Sequence, residues 1–199
     1  MTDVDGWRIP LLSGRHVTLL PLQAQHAAAL ACAAADGELW TLAYTSVPAP
    51  GEEADYIRGA LASRDRGESM PFVVLDAQGE VIGSTRFYAI DRGVPTLSLG
   101  YTWYAARAQR TAVNTEAKRL LLGHAFDVLG CESVALETSH LNTRSQAAIE
   151  RLGAKRDGVL RAHMRHRDGS LRDSYRYSIL RAEWPAVAAR LDGLLEARP

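Results

Sequence analysis

The chain has 199 residues, with 23 Lys+Arg set against 23 Asp+Glu, and this balance gives no electrostatic ground for nucleic acid or an anionic membrane as its main partner. A content of 47% hydrophobic and 23% charged residues suits one compact globular domain. No apolar stretch has the length of a membrane-spanning helix, and the acidic start Met1-Thr2-Asp3-Val4-Asp5 lacks the basic-then-apolar order of a secretory signal, so the cytoplasm is the expected location. Cys32 and Cys131 stand far apart with no C-x-x-C pair, and both are expected to be buried free thiols.

Residues 1–12 read as a flexible N-terminus and 13–199 as a single domain. His16 to Leu20 reads as a first strand, ended by Pro21. The alanine-rich run from Ala24 to Ala35 predicts a helix, because alanine has the highest helix propensity. The stretch to Gly51, with Trp40, Tyr44, Pro48 and Pro50, suits an irregular loop. A second helix follows from Glu52 to about Arg66. Phe72–Leu75, Val81–Tyr88 and Thr96–Tyr104 are three closely joined strands, which predicts an antiparallel meander.

The pattern then changes. Thr115 to Leu129 is helical, with Ala117, Leu121, Ala125 and Leu129 on one stripe and Gly130 as its C-terminal stop. Ser133–Glu137 is a fifth strand, Asn142–Leu152 a helix, and Arg167-Asp168-Gly169-Ser170 the turn of a last hairpin. A helix from Trp184 to Leu195 closes the chain. The order predicts an α/β fold with a mixed, mostly antiparallel sheet flanked by helices.

The chemistry concentrates where the fourth strand, Thr96–Tyr104, runs through a tight loop, Gln109-Arg110-Thr111-Ala112-Val113-Asn114, into a helix. A helix N-terminus there leaves N–H groups unpaired beside the positive end of the dipole, a geometry that binds pyrophosphate, and Arg110 adds a cation. The structural alternative is an ordinary connection with Asn114 as N-cap. Glu116, in the first turn, would repel a phosphate unless its side chain points away.

These residues, with Gly83-Ser84-Thr85-Arg86, Leu99-Gly100-Tyr101-Thr102-Trp103, the run Asn142-x-x-Ser145-x-x-Ala148-Ile149-x-x-x-Gly153-Ala154, and Asp173 followed by Tyr177-Ser178-Ile179-Leu180, resemble the GNAT acetyltransferase superfamily in its RimJ/RimL-like branch. The likeness runs from about His16 to Trp184. It departs at Ala112 and Asn114, which stand where the family's pyrophosphate loop carries glycines.

The resemblance implies a GNAT-like sheet splayed between its fourth and fifth strands, with acetyl-CoA as acyl donor and a primary amine as acceptor. It implies that Gln109, Arg110, Thr111, Ala112, Val113 and Asn114 hold the pyrophosphate. Backbone groups near Tyr101, Thr102 and Trp103 would hold the pantetheine and polarise the thioester, a donor role worth about 2.7–4 kcal/mol. Asn142 would bind the cofactor or cap its own helix. Ser145 would protonate the departing thiolate or make a capping bond.

Relatives often carry Glu where this chain has Ser98, so Glu137 is taken as the general base, with His140 as an alternative. Trp40 and Tyr44 are expected to border the acceptor pocket, with core packing the alternative for Trp40. Arg86 reads equally as a structural partner for a carboxylate or as a site residue. His163 and His166 alternate along a strand and are not read as a metal pair. Two other readings stay open: a silent acyl-CoA-binding module of the same fold, and transfer of another acyl group such as succinyl. A homodimer is compatible with the fold.

Overall fold

The computed structural model describes residues 7–197. Residues 1–6, half of the segment expected to be flexible, lie outside the described residues; Trp7, Ile9 and Leu12 are partly buried against the core. Among the described residues one sheet contains β1 (Leu12–Ser13), β2 (Val17–Pro21), β3 (Ser69–Asp76), β4 (Val81–Asp91), β5 (Thr96–Tyr104), β6 (Ser133–Ser139), β7 (Lys155–Arg165) and β8 (Leu171–Leu180). Their spatial order is β1-β2-β3-β4-β5-β6-β8-β7. The helices are α1 (Ala27–Ala35), α2 (Glu53–Asp65), α3 (Val113–Gly123), α4 (Thr143–Leu152) and α5 (Trp184–Glu196). None of them is long and apolar enough to cross a membrane. The strands read as fourth and fifth are β5 and β6, because the two-residue β1 precedes the first.

Short turns give antiparallel neighbours throughout the meander and the last hairpin. Among the described strands only β5 and β6 are parallel neighbours, a pairing that requires a crossover, and α3 lies in it. The strand period of two divides the core between the faces. Phe72, Val74, Leu97, Leu99 and Tyr104 pack with Ala117, Leu121 and Leu122 of α3, while Val73 and Trp103 pack on the other face with Leu30 of α1 and Ile57 of α2.

Several element ends differ from the sequence reading, as where Ala24–His26 form a 3-10 turn before α1 and Pro21 still pairs within β2, and three local differences matter most. The α3 helix begins at Val113 rather than Thr115, because Thr111 Oγ1 donates to Ala108 O (2.7 Å) and receives Val113 N–H (3.3 Å), turning the chain early. Asn114 therefore lies inside the first turn and is not the N-cap. The helix also changes to a π turn over His124–Val128 before Gly130, at φ 69°, reverses the chain. Finally, Cys32 is exposed, since α1 buries Leu30, Ala33 and Ala34 and turns residue 32 outward. Cys131 is buried, and burial pushes its thiol up to about 11.

Glu116 points away from the α3 N-terminus. Its buried carboxylate accepts the backbone N–H groups of Arg15 (2.9 Å), His16 (2.6 Å) and Val17 (2.8 Å), clasping α3 to the start of β2. The clasp needs a glycine alongside: a Cβ on Gly14 would sit 2.5 Å from Glu116 Oε2. Glu116→Ala should cost about 2–4 kcal/mol by leaving three N–H groups short of an acceptor, and Gly14→Ala about 1–3 kcal/mol by crowding. Urea unfolding of both variants checks this; wild-type midpoints would show the clasp to be dispensable.

Candidate active site

The site begins where two strands part. Thr96, Leu97 and Ser98 of β5 pair with Ser133, Val134 and Ala135 of β6, and the register ends there. From Leu99 to Tyr104 the β6-facing edge of β5 has no strand partner, while β6 continues to Ser139 beside β8. Backbone polar groups without a partner ask for one. An extended ligand carrying amides could supply it as an added strand would.

At the point of parting β5 bulges. Ser84 pairs with Trp103 and Arg86 with Gly100, so β5 carries one residue more than β4 between these pairs. Tyr101 occupies the bulge at φ 51°, in the left-handed region that non-glycine residues seldom adopt. The shared hydrogen of Thr102 Oγ1 and Thr85 Oγ1 (2.8 Å) and the bond from Thr85 to Gly100 O (3.3 Å) hold the bulge from beneath. Trp103 points to the opposite face and donates its Nε1–H to Tyr56 Oη (3.4 Å).

Two helix N-termini flank the mouth of this gap, one after each parted strand. Ala112 caps α3 and offers no side-chain acceptor; Thr111 Oγ1 takes the Val113 N–H, and the N–H groups of the next two residues point out of the helix end toward an anion's position. With Glu116 turned toward β2, no carboxylate of that helix opposes an anion there. Asn142 caps α4, its Oδ1 accepting Ser145 N–H (3.0 Å), and Ser145 is half-buried with no protein partner for its Oγ among the described residues. Gln109 ties the two ends together: it donates to Tyr104 O (2.9 Å) and accepts from Arg144 of α4 (2.8 Å). Gln109–Asn114, Asn142 and Ser145 are thus brought together. The parted edge and the uncapped α3 fit a ligand with amides at one end and pyrophosphate at the other.

Glu137 lies on the far side of the gap. With Ser98, Tyr88, His163 and Arg176 it lines a cavity of about 340 Å³, and its Oε1 accepts from Arg176 Nη1 (3.1 Å). Burial first, and then the Glu137 charge, push the Tyr88 hydroxyl up to about 12. His140 is engaged through Nδ1 with the Asp173 backbone. His163 bonds to Ser174 Oγ, and buried His166 lies between Ser139 Oγ and Ser170 Oγ. Among the described residues no group of three or more His, Cys, Asp or Glu is placed to hold a metal.

Trp40 and Tyr44 line neither this cavity nor the one beside Arg86. Trp40 packs on the core of the α1–α2 face. Their segment is fastened to the β7–β8 turn, since Arg167 donates to Ala43 O, Val47 O and the Glu52 carboxylate.

Sequence reasoning passed over Lys118. It is 6% exposed, and its Nζ donates to Thr102 Oγ1 (2.9 Å), directly under the bulge. The available signal was its place on α3, four residues before Leu122 and seven before Ala125 on the buried stripe. Burial lowers its pKa from 10.5 to about 7. The unfolded chain therefore binds the extra proton between about pH 7 and 10.5, and folding stability recovers as pH rises through that window. Relative to Lys118→Met, wild type should gain about 1.4 kcal/mol per pH unit there. Chemical unfolding at several pH values measures the slope, and a parallel pair of curves would show that Lys118 stays charged in the folded protein.

Known proteins share this fold. The acetyltransferase (GNAT) domain model matches residues 16–155, from the edge of β2 to the start of β7. YdaF of Bacillus subtilis (strain 168), provisionally described as a ribosomal N-acetyltransferase, is 29% identical over 106 residues, which is 53% of this chain and 57% of YdaF. This chain thus matches little more than half the length of that relative. A crystal structure from T. thermophilus, provisionally described as an acetyltransferase, is 38% identical with a TM-score of 0.83, covering 95% of this chain and 99% of that one. Mycobacterium smegmatis RimJ in complex with CoA-disulfide shares the fold at 21% identity, TM-score 0.80, over 96% of this chain and 97% of that one. The parted strands, the bulge and the α3 N-terminus all fall inside the matched region, and the chain belongs to the GNAT acetyltransferase family.

Proposed function

We propose that the protein is an N-acetyltransferase that acetylates a primary amine, of a protein N-terminus or a small molecule, by direct transfer. The observation that carries this reading is the end of β5–β6 pairing after Ser98, with the N-termini of α3 and α4 at the mouth of the opening. Acetyl-CoA supplies the acetyl group as a thioester open to attack by a neutral amine. The Gln109–Asn114 loop takes the pyrophosphate, and the free edge from Tyr101 to Trp103 takes the pantetheine amides. A bulge fixed by Thr85 and Thr102 needs no rearrangement to present its backbone, which favours electrostatic stabilisation of a developing oxyanion.

Glu137 receives the amine proton, directly or through water, across the cavity that it shares with Ser98. Ser145, whose hydroxyl has no protein partner among the described residues, returns a proton to the departing thiolate. YdaF's description as a ribosomal N-acetyltransferase favours a protein N-terminus among the acceptors.

The test is release of free thiol from acetyl-CoA over a panel of peptides and small amines. Wild type should turn over at least one class. Glu137→Gln should lower kcat by about 10²–10⁴-fold, and Ser145→Ala should lower it with little change in the KM for acetyl-CoA. Full turnover by Glu137→Gln with an unchanged pH profile would remove Glu137 as base. Acetyl-CoA binding without thiol release for any amine would favour the silent module, and faster release from succinyl-CoA would favour the other acyl group.

A further inference from the structure

One buried charge has no role in the chemistry above. Arg86, on β4, is 8% exposed, yet it makes no ion pair or hydrogen bond with any described residue, and its Nε is buried and unpartnered. Its guanidinium lies 4.1 Å from the ring centre of Tyr101 and 5.2 Å from that of Tyr56. Ser69 Oγ, also buried, is the second orphan. Both line a cavity of about 310 Å³, with Tyr88 and Tyr101 as walls. Strand register explains the meeting: Ser69 pairs with Tyr88 and Pro71 with Arg86, so Ser69, Arg86 and Tyr88 share one face of the sheet.

A guanidinium held out of water without an acceptor is a cost that a fold does not carry for packing alone. Aromatic walls relieve part of it. The carboxylate in the cavity lining, Glu68, does not relieve it, being engaged by Arg66 at 2.7 Å. The planar fork of arginine matches the two oxygens of a carboxylate. The loop proposed for the CoA phosphates lies beyond the far end of β5: Arg86 pairs with Gly100, roughly 13 Å along the strand from Tyr104, where β5 ends. The bulge beside the proposed thioester position is its neighbour instead. Arg172, on β8, faces Tyr88, Tyr101 and Glu137, and its buried Nε is likewise unpartnered. Arg172 and Arg176 thus share the single carboxylate of Glu137, and Arg86 has none among the described residues.

We propose that Arg86, with Ser69 Oγ beside it, binds a carboxylate carried by the acceptor, so that the preferred substrates are amines bearing a carboxylate near the reacting nitrogen. The proposal rests on the N-acetyltransferase reading. It excludes polyamines and neutral amines as preferred acceptors.

Two measurements on the full chain test it. The first is calorimetric binding of product-like probes, N-acetylglycine against N-acetylglycinamide, which needs no turnover. The second is kcat/KM for amine pairs that differ only as carboxylate or carboxamide, with phosphoethanolamine as a dianionic arm. The carboxylate member should lead by at least tenfold in both, and Arg86→Met should bring the pair to within twofold. Because that variant removes an unpaired buried charge, its ligand-free melting temperature should equal or exceed wild type. Ser69→Ala, a milder change, should reduce the preference several-fold.

Equal use of both members by wild type, a preference that survives in Arg86→Met, a lead for phosphoethanolamine, or a large destabilisation of Arg86→Met would each overturn the assignment. Selective binding of N-acetylglycine without thiol release from any amine would instead sink the transferase reading and leave the anion subsite standing.

Discussion

Three residues decide this structure. Thr96, Leu97 and Ser98 hold β5 to β6, and beyond them the two parallel strands separate. Continued pairing would give an unbroken sheet with its backbone groups satisfied and nothing for an extended ligand to bond. Parting after Ser98 leaves one strand edge unpaired in the middle of the protein, where an unsatisfied backbone group is expensive. The bulge at Tyr101 sits at this point, and a buried network of Lys118, Thr102 and Thr85 fixes it. The cost of the bulge and of the buried amine makes sense as preorganisation: the backbone faces the cleft before any ligand arrives.

The two faces of the sheet divide the work. On one face α3 supplies core packing, Lys118 under the bulge and, at its N-terminus, the proposed anion site. Glu116 shows how a potential conflict is avoided. A carboxylate in the first turn of a phosphate-binding helix would repel its ligand, but here it is committed to three N–H groups before β2 and becomes part of the fold. On the other face α1 and α2 pack on the sheet, and Arg167 of the β7–β8 turn joins the segment around Ala43 and Val47. In the proposed reaction the acyl donor lies along the parted edge and the acceptor enters across the Glu137 cavity, so that the two meet at the bulge.

Much of the fold was legible because it rests on local signals. Close strand spacing marked the meander, the apolar stripe through Ala117 and Leu121 marked the crossover helix, and Asp168-Gly169 marked the hairpin. Boundaries were less legible. Thr111 begins α3 two residues early through hydrogen bonds that spacing alone does not reveal. The exposure of Cys32 was not legible because the alanine run carries little contrast between its faces. In the site, the Asn142 cap of α4 was legible in the sequence, Lys118 was not, and Arg86 was left open. Both are cations among apolar neighbours, and only three-dimensional packing shows that neither has a carboxylate to meet. The sequence left open whether Arg86 was a structural partner or a site residue, and the absence of a described partner is the observation on which the proposed carboxylate subsite rests.

The proposed chemistry requires the parted β5 edge and the α3 N-terminus to act together as one binding site for the acyl donor. Titration calorimetry with CoA, dephospho-CoA and pantetheine tests this most directly. Micromolar affinity for CoA, largely kept by dephospho-CoA and falling sharply for pantetheine, is the result expected if the Gln109–Asn114 loop holds the pyrophosphate and the strand edge holds the arm. Pantetheine binding as tightly as CoA, or no CoA binding at millimolar concentration, would contradict it.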